Sequence, residues 1–232
     1  MPDFFQSAIS TLRTIGLTNA TIYWLDRSLG KLTAGKLRVI KYYFLVQPLS
    51  SEIFSTRGGS YSFSLATPSD YSTIEFPRPS HIIDERVRNG YQCIIARKND
   101  KLVAFLWYNA RFYLEDEVRC KYLLGCPDNS VWDFDVYIDP KYRLGRLFSQ
   151  LWAFTSEHLQ NNGIEWSFSR VHAYNHSSLG AHSKLGAETI GWASFLVVGP
   201  LQLSISTHKP RIQLGLRTHS PTFTLFPPGE VG

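Results

Sequence analysis

Asp133 and Asp135 lie two residues apart in a stretch, residues 131–138, that reads as a β-strand. Successive side chains of a strand point to opposite faces, so this spacing puts Asp133, Asp135 and Tyr137 on one face and Phe134, Val136 and Ile138 on the other. An ionised carboxylate can accept a proton from a reacting group; edge or loop-side carboxylates of structural use are the other reading. Asp139-Pro140 ends the strand, and residues 143–160 bring Leu147, Phe148, Leu151, Trp152, Phe154 and Leu159 to one face at helical spacing. The start of such a helix has N–H groups without intrahelical partners and the positive end of the dipole. With Arg143 and Arg146 beside it, this turn suits an anion such as a pyrophosphate, although the same arginines also read as a solvated helix start. His182 falls in a short helix expected over 177–185. An imidazole of ordinary pKa, about 6.5, can donate a proton; a packed helix histidine is the other reading. Asn175, just before that helix, reads as its N-cap.

The elements that must hold these residues follow from pattern. Residues 3–16 have helical spacing, and 20–25 and 37–46 look strand-like. Residues 48–60 are rich in Ser and Gly and suggest a boundary. Residues 61–66 read as a strand, 69–80 as loop, and 80–88 as a helix with Ser80 as its N-cap. Residues 91–97 and 102–110 read as a β-hairpin across Lys98-Asn99-Asp100-Lys101. Residues 112–124 extend that hairpin or form a separate strand. Further strands are expected over 164–173, 189–198 and 201–206. The stretch after them is basic and Pro-rich, an extended arm or a disordered tail.

Two blocks carry a resemblance. Ile138-Asp139-Pro140-Lys141-Tyr142-Arg143 is followed, after room for one helix and one strand, by N-H-S-S-L-G-A-H-S-K-L-G-A from Asn175 to Ala187. They resemble the V-x-P-x-Y-R stretch and the N-x-x-S/A-x-x-x-Y-x-K-L-G-F block of the GNAT N-acetyltransferase superfamily, weakly from residue 61 and firmly from 131 to 199. The resemblance implies an α/β fold: a mixed, mostly antiparallel sheet of six to seven strands flanked by helices, with an N-terminal addition. It implies acetyl-CoA as co-substrate and direct transfer of the acetyl group to an amine. The pyrophosphate would meet the backbone of Arg143, Leu144, Gly145, Arg146, Leu147 and Phe148. The pantetheine arm would pair with Val136, Tyr137 and Ile138 where two central strands splay, and Asn175 and Ser178 would border it. Asp135 or Asp133 would take the amine proton, and His182, standing where the family has Tyr, would protonate the departing thiolate. The family's two small loop residues fall on Arg146 and Phe148, with Gly145 one place early. Either the bulk there obstructs phosphate, or the loop is one residue out of register and Gly145 serves the turn.

Composition sets the outer limits. The 232 residues are 44% hydrophobic and 19% charged, ordinary globular material. The expected division is an addition at 1–60, the acyltransferase core at 61–199, and a C-terminal strand and arm at 200–232. A net charge of +5 is too small to suggest nucleic acid. Three cysteines without metal-ligand spacing suggest reduced structural thiols and no metal. With no signal peptide or membrane span evident, a soluble cytoplasmic protein is expected. GxSxG, HExxH and P-loop patterns are absent. The acceptor is open, a small-molecule or peptide amine; the residues that bind it are expected from 1–60, 57–80 and 111–125, and the arm suggests a possible homodimer. Two other classes stay open: an inactive GNAT-like binding module, and an acyltransferase using another donor, a longer acyl-CoA or an aminoacyl-tRNA.

Overall fold

The computed structural model of the protein describes residues 2–49, 60–115, 117–216 and 219–230. The Ser/Gly-rich boundary expected at 48–60 falls mostly on 50–59, outside the described residues. The chain runs α1 (Pro2–Leu32), β1 (Leu37–Pro48), β2 (Ser62–Leu65), α2 (Pro68–Thr73), α3 (Ser80–Arg88), β3 (Gln92–Lys98), β4 (Lys101–Asn109), β5 (Phe112–Leu114), β6 (Lys121–Leu124) and β7 (Ser130–Ile138). A 3-10 turn (Pro140–Tyr142) leads to α4 (Leu147–Gln160), β8 (Trp166–His172), α5 (His176–Lys184), β9 (Glu188–Val198), β10 (Leu201–Ser206), β11 (Ile212–Gly215) and β12 (Thr222–Leu225). No helix of the described residues is long and apolar enough to cross a membrane.

By contacts these elements form two interleaved compact units: residues 48–111 with 126–168, and residues 1–47 with 112–125 and 169–232. In the first, β2, β3, β4 and β7 pair antiparallel in that order, and β7 pairs parallel with the start of β8. Asn99 and Asp100 both adopt positive φ (49° and 62°), the two-residue turn that the twist of a β3–β4 hairpin requires. Strand β4 is buried along nearly its whole length, so both of its faces are covered. Phe76 packs edge-on to Phe105 and Tyr71 stacks on Trp107 on one face. On the other, Tyr108 meets His158 of α4. Trp107, Trp132, Trp152, Phe105 and Phe168 are fully buried here.

The second unit contains β1, β9, β10 and β11, with the end of β8, and a three-stranded sheet ordered β12-β6-β5. Tyr42, Phe44, Tyr122, Phe195 and Phe223 form its core. Counted along hydrogen-bonded neighbours, the main sheet holds nine strands, more than the six to seven expected, because 201–206 and 212–215 both extend it. Residues 20–25 are helical, not a strand: they belong to α1, which Gly16 interrupts (φ 77°, ψ 163°). Asn19, Tyr23, Asp26 and Gly30 recur at helical spacing, and Asp26 accepts Nε and Nη2 of Arg38 at 2.6 and 2.9 Å and the Val39 N–H at 3.0 Å, docking the helix on β1. The tail is ordered where described, since β12 pairs parallel with β6.

Gly191, opposite Phe44, lies under the 207–208 turn: a Cβ there would come within 2.4 Å of Thr207 Oγ1 and His208 Nε2. Gly191→Ala is expected to cost about 1–3 kcal/mol by overpacking, read as a lower urea midpoint at unchanged slope.

Candidate active site

The parallel pairing of β7 with β8 covers only Ser130–Trp166, Val131–Ser167 and Trp132–Phe168. Within this unit the pairing with β8 ends there, while β4 pairs with β7 as far as Ile138. Asp133 therefore stands at the point where the pairing stops. It is 3% exposed, and Ser167 Oγ donates to its Oδ2 at 2.7 Å. Burial pushes its carboxyl up to about 7, against the downward pull of the Ser167 hydrogen bond.

Just beyond, the expected alternation breaks. Trp107 faces Phe134 and Phe105 faces Tyr137, so Asp135 and Val136 together oppose Leu106 in a β-bulge, with Asp135 at φ 47°. Phe134 and Tyr137 therefore share a face, contrary to the two-residue period. Asp133, opposite Tyr108, belongs to the α4 side. Asp135 turns to the other side, where Nε of Arg78 (2.9 Å), Nη2 of Arg78 and Nη1 of Arg86 donate to it. Both guanidinium groups also lie over rings, Arg78 above Phe105 and Tyr137, Arg86 above Trp107 and Phe134. Charge-assisted pairs tie Asp135 to both arginines. Asp133 is thus buried beside a hydroxyl, whereas Asp135 is ion-paired to two guanidinium groups.

After Ile138, Asp139 Oδ1 accepts the Lys141 N–H at 2.9 Å and starts the 3-10 turn. Tyr142 N–H then donates to Asp139 O (2.8 Å) and Gly145 N–H to Tyr142 O (3.1 Å). Arg143 Nε donates to Ile138 O at 3.1 Å and ties the turn to the strand end. Gly145 has no positive φ, so its place in the turn does not demand glycine. Arg146 is the N-cap residue of α4, and Arg143, Leu144 and Arg146 are all exposed, Leu144 completely. Leu147 is buried and anchors the helix start, and Phe148 is half-buried. No side chain caps α4, and its first turn carries no acid. The helix start is thus left positive, with the bulk at Arg146 directed to solvent.

The second block lies in the other unit. Asn175 caps α5, its Oδ1 accepting the Ser178 N–H at 3.1 Å. His182 is 5% exposed, with Nδ1 3.4 Å from Gln47 Oε1. Burial pushes its imidazole down to about 4, so it is neutral at pH 7 and carries no imidazolium proton to give. The donor role expected for His182 has no support in this setting. No three His, Cys, Asp or Glu residues gather into a metal-binding group among the described residues. Arg78, Arg86 and Ser167, which shape both carboxylates, had no local signal in the sequence; register in a known sheet would have revealed Ser167.

The chain belongs to the acetyltransferase (GNAT) family, whose model matches residues 60–187. No curated protein matches it by sequence. Among solved structures it is similar to a functionally unknown conserved protein from Staphylococcus epidermidis, at 8% identity over 74% of this chain and 66% of that one (TM-score 0.49). It is also similar to a GNAT-family protein from Novosphingobium aromaticivorans, at 16% identity over 70% and 65% (TM-score 0.48). A third is a tandem GNAT protein of the clavulanic acid biosynthesis pathway, at 10% identity over 74% and 56% (TM-score 0.45). The chain spans less than two thirds of the length of each of these proteins.

The two carboxylates predict opposite mutants. The folded pKa of Asp133 lies above the value of about 4 it has when unfolded. Between about pH 4 and 7 the folded chain therefore holds more protons, and stability falls as pH rises through that window. Asp133→Asn should abolish this slope in denaturation at pH 5 and pH 8. Asp135→Asn, which takes a carboxylate away from the buried Arg86, should instead lose about 3–5 kcal/mol at both pH values.

Proposed function

We propose that the protein is an N-acetyltransferase that moves the acetyl group of acetyl-CoA directly to an amine of a small-molecule or peptide acceptor. The observation that carries this reading is Asp133, a buried carboxyl with a pKa near 7, standing where β7 leaves β8. A general base works best when its pKa is close to the working pH. The unpaired edge of β7 at Val136 and Tyr137 suits the amides of a pantetheine arm, and Arg143 and Arg146 at the α4 start suit a pyrophosphate. Ile138 offers less, since Arg143 already occupies its carbonyl.

In the proposed reaction the neutral amine attacks the thioester carbonyl, whose oxygen a β7 backbone N–H polarises. The C–N bond forms, the C–S bond breaks, and the amine proton passes to Asp133. The carboxylic acid so formed is acidic enough to return that proton to the CoA thiolate. His182 is assigned no proton. Asn175 and Ser178 are left with the helix cap.

The reading is tested first by thermal shift with millimolar acetyl-CoA, which should raise Tm. No shift would favour a fold that has lost its donor, and a mass-spectrometric screen of acyl donors would expose a different one. Turnover is then followed by mass spectrometry against amino acids, amino sugars and peptides. kcat/KM should rise with pH through about 7 as Asp133 ionises. Asp133→Asn should lose about 10²–10⁴-fold and that pH limb with it. Arg146→Glu should raise KM for acetyl-CoA about tenfold with little change in kcat.

A further inference from the structure

Strand β10 carries its residue types the wrong way round for a solitary chain. Gln202, Ser204 and Ser206 point inward and are at most 4% exposed, while Leu201, Leu203 and Ile205 point outward. The inward side chains all have partners. Gln202 Oε1 accepts the Arg119 N–H at 3.0 Å, and its Nε2 donates to the Arg119 carbonyl at 2.7 Å. Ser204 Oγ donates to the Gln213 carbonyl at 3.2 Å, and Ser206 Oγ to the Trp192 carbonyl at 2.9 Å. Sliding β10 by one residue would send its apolar side chains inward, and these bonds oppose the slip.

The outward side chains join those of the neighbouring strands. Leu201 faces Val198 of β9, Leu203 faces Leu196 of β9 and Leu214 of β11, and Ile205 faces Ile212 of β11. Residues directly opposite one another lie on the same side of a sheet, so these seven form one apolar face. Six of them are between 41% and 67% exposed; Leu203, at the centre, is half-buried. Leu37 and Val39 of β1, opposite Val198 and Leu196, continue the face and are half-buried. From Ser194 across to β11 it carries no charged side chain. Lys41, across from Ser194, is held by Asn19 Oδ1 at 3.2 Å and lies over the Trp192 ring.

We infer that this face is an interface with a second copy of the chain, the two β9–β10–β11 sheets packed face to face about a two-fold axis. Area favours a copy. The face leaves roughly 600 Å² of apolar surface open, the top of the range for the largest patch on a monomer. The β1 rim brings it towards the about 800 Å² per partner that a stable interface buries. Charge favours a copy as well. Around a two-fold axis a central residue meets its own equivalent, so a charge there would face its like, and this face has none. A helix or sheet face that rests on an anionic bilayer needs basic side chains beside the apolar ones, and this face has none of those either. Two sheets stack in this manner about 10 Å apart with their strands nearly aligned. Strand β10 then lies between two layers, hydrogen-bonded on the side of its own unit and apolar on the side of the copy. The interface depends on no part of the acetyl-transfer reading.

The experiment is sedimentation equilibrium of the full chain from low to high micromolar concentration, repeated with phosphatidylserine vesicles. The chain should sediment at twice its own mass and dissociate on dilution, and its Tm should rise with protein concentration. Leu203→Glu brings like charges together at the centre of the interface and should weaken association at least about 100-fold. Ile212→Glu changes a side chain that is 67% exposed in the single chain. It should weaken association at least about tenfold, and it tests the proposal even if Leu203→Glu fails to fold. Circular dichroism identifies which variants are folded. A chain that stays monomeric at every concentration, a dimer indifferent to the folded variants, or a monomer that co-sediments with the vesicles would overturn the proposal.

Discussion

Asp135 is held in a left-handed backbone conformation by the guanidinium groups of Arg78 and Arg86, and the arrangement of β7 follows from that clamp. The conformation costs an L-residue about 1–2 kcal/mol, less for Asp, and the two charge-assisted pairs are of the size needed to offset it. Arg86 is itself buried, so the pairs also serve the cation. With the bulge fixed, the residues before it keep one register with β4 and those after it another. Asp133 stays on the α4 side beside Ser167, and Tyr137 turns to stack on Phe105.

Two carboxylates of one strand thus have opposite electrostatic fates. Asp135 is surrounded by positive charge. Asp133 has only a hydroxyl, and desolvation dominates it. Chemical identity and near-adjacency in the chain say nothing of this; the difference comes from the partners each face brings. The proposed acid–base role goes to the carboxylate that the fold leaves without a cation.

Much of the architecture was legible from spacing. The β3–β4 hairpin, α4, α5 with its Asn175 cap and the β7 strand all stand close to where periodicity and turn chemistry put them. The failures have physical causes. Residues 20–25 are apolar enough for a strand, but only a window reaching Asp26 and Gly30 reveals the helical period. The bulge was invisible because it occurs at a non-glycine residue, and its cause lies in Arg78 and Arg86, far away in sequence. His182 falls at the motif position that the family fills with Tyr, and its burial, which pushes the imidazole down to about 4, could not be read from spacing. Motif spacing reports the backbone frame; the protonation states belong to neighbours that the frame brings in from elsewhere.

The interleaving of the two units has a consequence for how the chain comes into being. Residues 48–111 and 126–168 are complete once residue 168 has been synthesised. Strand β1 is made earlier but pairs with β9, Leu37 against Val198, and β6 waits for β12, Thr222 against Lys121. A ribosome therefore releases a finished unit flanked by apolar strands still lacking their neighbours. Such unpaired edges are the segments most exposed to misassociation. Until β9 and β12 are made, β1 and β6 each lack one of their neighbours.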